Sequence, residues 1–339
     1  MIERSHDDRG ILLISLDFEL HWGVHDTLEA DDYRENLLGV RRAVPALLDL
    51  FGEYGIHATW ATVGFLFFER RDDLIRGLPD EKPSYTDGRL SPYSLVQTLG
   101  RDEGEDPLHY AGSLIEVIRS HPHQEIGSHT FSHYYCLEEG QTGESFRADL
   151  RAAMAAARGR GITLESFVFP KNQLNPNYVG ICREMGIKAL RGNAPGWMYR
   201  PKASLAGKVA RLLDAHANLS GHNCYPVSSI ERTPPFNMPA SQFLRPHSRR
   251  LRVFERLKLR RIRSDLTYAA RKKQVYHLWW HPHNFGSHIA QNLAFLRRIL
   301  NHYAYLRDRF RMRSLNMGEL SRLLATPEAE AASAPEGKR

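Results

Sequence analysis

Ile11-Leu12-Leu13-Ile14-Ser15-Leu16-Asp17-Phe18-Glu19-Leu20-His21-Trp22-Gly23 is the stretch on which the reading of this chain turns. The apolar run Ile11 to Ile14 reads as a short buried strand. Asp17 and Glu19 then sit two residues apart at its end, on one face. A rigid strand can aim both groups at one point, as a catalytic site requires. Two carboxylates that close repel unless a cation or a proton sits between them.

Outward from this strand, apolar runs alternate with helical patterns, which favours an α/β fold. Strands are expected at 11–16, 56–62, 124–128, 165–169, 187–190 and 275–280. Helices are expected at 36–53, 110–120, 144–158, 176–185, 249–272 and 289–303. Residues 79–108, rich in Pro, Gly and Asp, and 192–246, with seven prolines, read as insertions that shape a cleft. The 339 residues, 42% of them hydrophobic, are ample for a core, and 1–325 are expected to form one domain. The Ala/Glu/Pro-rich end, 326–339, is expected to be disordered.

No run of 18 apolar residues occurs, so no transmembrane helix is expected. The charged segment Met1 to Gly10 has no signal-peptide pattern. Three widely spaced cysteines, Cys136, Cys182 and Cys224, argue for a reducing compartment and a cytoplasmic protein. The net charge of +7 is concentrated in residues 245–273, which hold twelve Lys/Arg against two Asp/Glu, so the rest of the chain is slightly acidic. This segment reads as a solvated amphipathic helix, with Leu251, Phe254, Leu257, Ile262 and Leu266 at helical spacing. The competing reading is peripheral contact with an anionic membrane, at its inner face, or with a phosphate-bearing substrate. No nucleic-acid partner is expected, because the aromatic-interleaved pattern of base-stacking modules is absent.

Histidines further along indicate which cation could sit between Asp17 and Glu19. Glu125-Ile126-Gly127-Ser128-His129-Thr130-Phe131-Ser132-His133 places two imidazoles four apart, a spacing that on a helical turn lets both bind one ion. This pair also follows a strand. In a parallel α/β fold the C-terminal strand ends converge on one rim, so both clusters face one pocket. Two histidines and one carboxylate leave an open coordination position, the pattern of a catalytic zinc. A third cluster, Leu278-Trp279-Trp280-His281-Pro282-His283-Asn284-Phe285, follows another strand and offers a general acid. Trp22, Trp279 and Trp280 can stack on sugar faces, and buried packing explains each equally well. Cys136, three residues past His133, reads as a core thiol.

These stretches, taken together, resemble the polysaccharide deacetylase family, the NodB-homology group or carbohydrate esterase family 4. Ser15 to Glu19 resembles the first motif, in the variant with a spacer between the acids. Ala58 to Gly64 resembles the second strand. Glu125 to His133 resembles the Gly-His-Glu-Ile-Gly-Ser-His-Thr-x-x-His motif, and Leu278 to His281 the last Leu-x-x-His motif. The resemblance implies a distorted (β/α)7-type barrel and metal-assisted removal of acetyl groups from amino sugars. It implies Glu19, His129 and His133 as metal ligands, Asp17 as general base, His281 as general acid and Leu278 as a wall of the acetyl pocket. From their own ring chemistry, Trp22 and Trp280 are expected beside the substrate. One divalent ion, zinc, is the cofactor expected.

Two departures stand out. The metal carboxylate is Glu rather than the family's more usual Asp. The family's third motif usually supplies an arginine that orients the base, whereas Phe167 to Gln173 offers Lys171, and an ammonium cannot reproduce a bidentate guanidinium clamp. Either Lys171 or Arg191, after a later strand, fills that role. The expected reaction is N-deacetylation of an amino sugar, lipid- or nucleotide-linked, in glycan or glycolipid assembly. Hydrolysis of another C–N amide, such as an imide or formamide, is the second enzymatic reading. A non-catalytic glycan- or membrane-binding protein is the third, against which intact Asp17 and His281 count. A glycosidase is disfavoured, since Asp17 and Glu19 are too close to straddle a glycosidic bond.

Overall fold

Residues 9–195, 197–199 and 205–326 are described by the structure, a computed structural model. Its strands are β1 (Ile11–Phe18), β2 (Ala58–Thr62), β3 (Gln124–Ser128), β4 (Ser166–Val168), β5 (Ala189–Arg191), β6 (Tyr225–Pro226), β7 (Phe236–Asn237), β8 (Gln242–Phe243), β9 (Gln274–Trp280) and β10 (Arg313–Leu315). Its helices are α1 (Arg34–Tyr54), α2 (Arg71–Arg76), α3 (Gly112–Ser120), α4 (Gly143–Arg158), α5 (Pro176–Glu184), α6 (Leu205–Asp214), α7 (Glu255–Lys272), α8 (Ile289–Phe310) and α9 (Met317–Ala325). All six strands and six helices expected from periodicity are present. The expected helix at 249–272 starts as a 3-10 turn, Arg249–Phe254, that runs into α7. Residues 327–339, most of the expected disordered tail, lie outside the described residues.

Strands β9, β1, β2, β3, β4 and β5 pair side by side, all parallel. The stretch 236–244 closes the curl. Its first part, β7, pairs with β5, and its second part, β8, pairs with β9. Backbone bonds from Met238 N to Leu190 O and from Ser241 N to His277 O, both 2.8 Å, mark the handover. The result is a distorted seven-stave (β/α) barrel, with helices on the outside as right-handed crossovers require. Residues 192–246, read from the sequence as an insertion, therefore include α6 and the closing stave. Residues 79–108 hold only short 3-10 turns.

β1 is buried along its whole length, which suits a strand covered on both faces. Leu12, Ile14, Leu16 and Phe18 point outward into the main core, with α1, α7 and α8. Ile11 and Leu13 point inward and pack with Val168, Ala189, Phe236, Val275 and, from α9, Met317 and Leu320. The lower barrel is thus apolar and plugged by α9. The same inward face continues upward as Ser15 and Asp17, both buried. The pleat of one strand separates core from site.

Candidate metal centre and active site

Glu19 lies one residue past β1, and His129 one residue past β3. Oε2 of Glu19 is 3.2 Å from Nε2 of His129 and 3.2 Å from Nε2 of His133, and all three side chains are buried. The helical turn expected from the i, i+4 spacing is not there. Residues 129–133 form an irregular turn in which Thr130 (φ 63°) and His133 (φ 56°) take left-handed backbone. The turn is held from outside. The Asp149 carboxylate on α4 accepts from Phe131 N (2.6 Å), Ser132 N and the Ser132 hydroxyl. Burial pushes the Asp149 pKa up to about 6, against the pull of those donors. Gly23 completes the support of Glu19, since a Cβ there would stand 1.9 Å from Glu19 Oε1.

The donor set fits a divalent cation. His129 Nδ1 donates to Val168 O at 2.9 Å, so a neutral His129 presents an unprotonated Nε2 to Glu19. Burial holds His133 neutral, with its pKa lowered to about 4. Two imidazole nitrogens and a carboxylate oxygen, all buried and within 4.8 Å of one another, make a three-donor set of the kind that holds a divalent ion. Burial opposes ionisation of Glu19, but the surrounding imidazoles outweigh it and hold its pKa well below the usual carboxylate range.

Asp17 does not join this cluster. Arg191, at the end of β5, clamps it with NH1 to Oδ1 at 2.6 Å and NH2 to Oδ2 at 2.7 Å. Burial disfavours the Asp17 charge, yet Arg191 prevails and keeps the pKa below its ordinary value. Arg191 also reaches Ser15 Oγ and Asn172 Oδ1, both at 3.1 Å, and its guanidinium lies 4.2 Å from the Trp279 ring centroid. Lys171 does not supply the clamp: its ammonium pairs with Asp26 at 3.0 Å. His281 completes the group, with Nε2 3.8 Å from Asp17 Oδ2 and 3.6 Å from Glu19 Oε1. Asn284 Nδ2 donates to His281 Nδ1 at 3.1 Å, and Tyr33 OH donates to Asn284 Oδ1 at 3.0 Å. In the neutral ring this network puts the proton on Nε2, the nitrogen aimed at the site; the imidazolium carries a proton there as well.

Three residues expected beside the substrate are elsewhere. Leu278 and Trp280 point outward from β9 into the main core, and Trp22 is buried in the same cluster against Phe65. Strand pleating is the reason: His277, Trp279 and His281 share the inner face, so Leu278 and Trp280 cannot. Half-buried Trp279 is the tryptophan of the site, packed on Phe243 and beside His281. Trp279→Ala is expected to raise KM or lower kcat for a sugar substrate with little change in Tm. Trp280→Ala should instead destabilise the fold by ~3–5 kcal/mol. Paired steady-state kinetics and denaturant melts check this, and the opposite pattern would return Trp280 to the substrate.

His283 and His277 were not assigned roles from the sequence. His283 is buried, stacks on His281 with centroids 5.0 Å apart, and has Nε2 4.0 Å from Glu19 Oε1. His277 sits inside the barrel below Arg191, with Nε2 2.9 Å from Ser15 Oγ and Nδ1 3.2 Å from Met238 O. Burial, then the Arg191 charge, lowers its pKa to about 3. Below pH 6.5 the unfolded chain therefore binds a proton that the folded chain refuses until about pH 3, so stability is lost as pH falls through that window. Replacing His277 with Gln should flatten stability against pH between 4 and 6 by about one proton, ~1.4 kcal/mol per pH unit. Urea melts at intervals of half a pH unit read the slope directly, and an unchanged slope would count against a neutral His277.

Asp17, Glu19, His129, His133, Arg191 and His281 thus meet at the C-terminal rim of a parallel barrel. Among solved structures the chain is similar to one described as a polysaccharide deacetylase from Mycobacterium smegmatis, with a TM-score of 0.61 and 13% identity over 99% of this chain and 96% of that one. It is similar to a second so described from Pseudomonas aeruginosa PAO1, with a TM-score of 0.54 and 12% identity over 93% and 91%. An allantoinase, PuuE, gives a TM-score of 0.54 and 12% identity over 94% and 91%. No family model matches the chain, and no curated protein does. The chain has the distorted (β/α) barrel fold of these solved structures described as polysaccharide deacetylases.

Proposed function

We propose that this chain is a metal-dependent hydrolase that removes an N-acetyl group from an amino sugar in glycan or glycolipid assembly. The observation that carries the reading is the meeting at one rim of a Glu19–His129–His133 donor set, an arginine-clamped Asp17 and His281. A divalent ion held by the three donors, zinc in this reading, would polarise the amide carbonyl and acidify water. Asp17 is ionised at neutral pH and fixed in direction by Arg191. It is the group that accepts the proton of the attacking water. His281, acting as the imidazolium, faces the same point through Nε2, gives that proton to the departing amine and ends as the neutral imidazole. The C–N bond breaks, acetate and a free amine leave, and the Asp17 proton returns to His281 or to solvent. Trp279 offers an apolar ring for a sugar face.

The substrate in this reading is an acetylated amino sugar on a lipid or nucleotide carrier, handled in the cytoplasm. The three free cysteines support the reducing compartment. No helix among the described residues is long and apolar enough to cross a membrane. Hydrolysis of another C–N amide is the second reading, favoured by the similarity in fold to an allantoinase. Acetate release from a panel of N-acetylated sugars, run beside allantoin, cyclic imides and formamides, decides between them. The proposal expects acetate from a sugar, and exclusive turnover of an imide, ureide or formamide would replace it with the second reading.

A further inference from the structure

We infer that the start of α7, with α6 beside it, is a membrane-docking face that seats the barrel's catalytic rim on an anionic lipid surface. The inference does not depend on which amide is cleaved. Nine large apolar side chains are exposed among the described residues, and six of them lie on α6, just after it, or on the turn leading into α7 and its first residues. They are Val209, Leu213, Leu219, Val253, Phe254 and Leu257, with Val253 71% and Leu213 55% exposed. His216, beyond the end of α6, touches Phe254, with ring centroids 5.7 Å apart, which joins the two segments. Scattered exposed apolar residues need no explanation, but a cluster does.

Arg256 and Arg260 border the cluster, and a row of further cations continues down α7 away from the rim. An open cleft of about 670 Å³ runs along α7 between Arg256, Arg260, Arg263, Arg271, Lys272 and, from α8, Arg298. No carboxylate lines it. Among the described residues none of these six cations is in an ion pair, although paired surface arginines are common elsewhere in the chain. Six unpaired like charges along one cleft repel one another, and bound anions relieve that repulsion. Apolar side chains beside cations are the composition of an interfacial membrane anchor, in which the former enter the acyl boundary and the latter meet headgroups.

Topology places this face beside the site. β8 ends at Phe243, whose ring lies 5.6 Å from His281. The chain leaves the rim there, passes through Arg245 to Phe254 and enters α7, which descends to the start of β9. Val253, Phe254 and Leu257 are therefore at the rim end of the helix. A bilayer met by these residues would lie beside the mouth of the site, where a lipid-linked sugar is presented.

Flotation of the full chain with vesicles tests this. Vesicles of phosphatidylcholine with one-third phosphatidylglycerol should carry the protein upward at low salt and release it as salt rises, whereas pure phosphatidylcholine vesicles should not. At roughly fivefold per cation, Arg252→Gln (in the turn leading into α7), Arg256→Gln and Arg260→Gln together should weaken partitioning on the order of 100-fold. Val253→Ser/Phe254→Ser/Leu257→Ser should weaken binding that persists at 0.5 M salt. Absence of flotation at low salt overturns the inference, as does flotation that survives both triple variants. Binding of heparin without vesicles would assign the cleft to a soluble polyanion and overturn it too.

Discussion

Turnover of the Asp17→Asn protein is expected to fall by ~10²–10⁴-fold while its bound metal stays at the wild-type level. Asp17 is held by Arg191 rather than by the imidazoles, so the amide loses a base and leaves the donor set intact. Arg191→Lys tests the other half of the clamp. A single ammonium cannot hold both Asp17 oxygens and reach Ser15 and Asn172. Turnover should drop with metal content unchanged. Arg191→Ala should go further and cost ~3–5 kcal/mol of stability, because it strands a buried carboxylate. Kinetics, metal content and denaturant melts on the same three preparations separate these effects. If Asp17→Asn empties the metal site while Glu19→Ala keeps it, the two carboxylates have exchanged roles.

Substitution of His129 or His133 by Ala is the second large effect expected. Each removes one of three donors, and metal affinity should drop by orders of magnitude, with activity falling in step. The two variants should differ in stability. His129 also bonds to Val168 O, so its loss leaves a buried carbonyl without a partner, whereas His133 Nδ1 has no partner to lose. Titration of each variant with zinc, followed by calorimetry, gives both quantities. Stoichiometric metal in the double variant would remove these residues from the ligand set.

The elements that carry this site announce themselves locally. β1 and β9 are apolar runs, and acid or histidine follows each, so their positions can be read one segment at a time. The helical spacing of α7 and α8 is equally local. What escaped is settled between segments. Lys171 and Arg191 both follow strands, and only the curl of the sheet decides that Arg191 faces Asp17 while Lys171 turns to Asp26. Asp149 sits mid-helix on α4, and its capture of the 131–132 amides is invisible without the fold. Asn284 and Tyr33, 251 residues apart, steer His281 jointly. The closing stave is masked by the prolines at 234, 235 and 239 and by two strands of two residues each. The placement of Leu278, Trp279 and Trp280 was legible, since counting the pleat back from His281 puts Trp279 alone on its face.

Metal dependence of amide hydrolysis tests the central claim most directly. Purified protein is assayed for metal by elemental analysis and for acetate release on the sugar panel, then stripped with a chelator and reloaded with zinc. The account predicts about one divalent ion per chain, loss of that ion and of turnover together on stripping, and recovery of both with zinc. Stripped protein that hydrolyses its amide at the full rate would contradict it. In that case Glu19 and the two imidazoles hold a proton rather than a metal, and the barrel runs its chemistry on Asp17 and His281 alone.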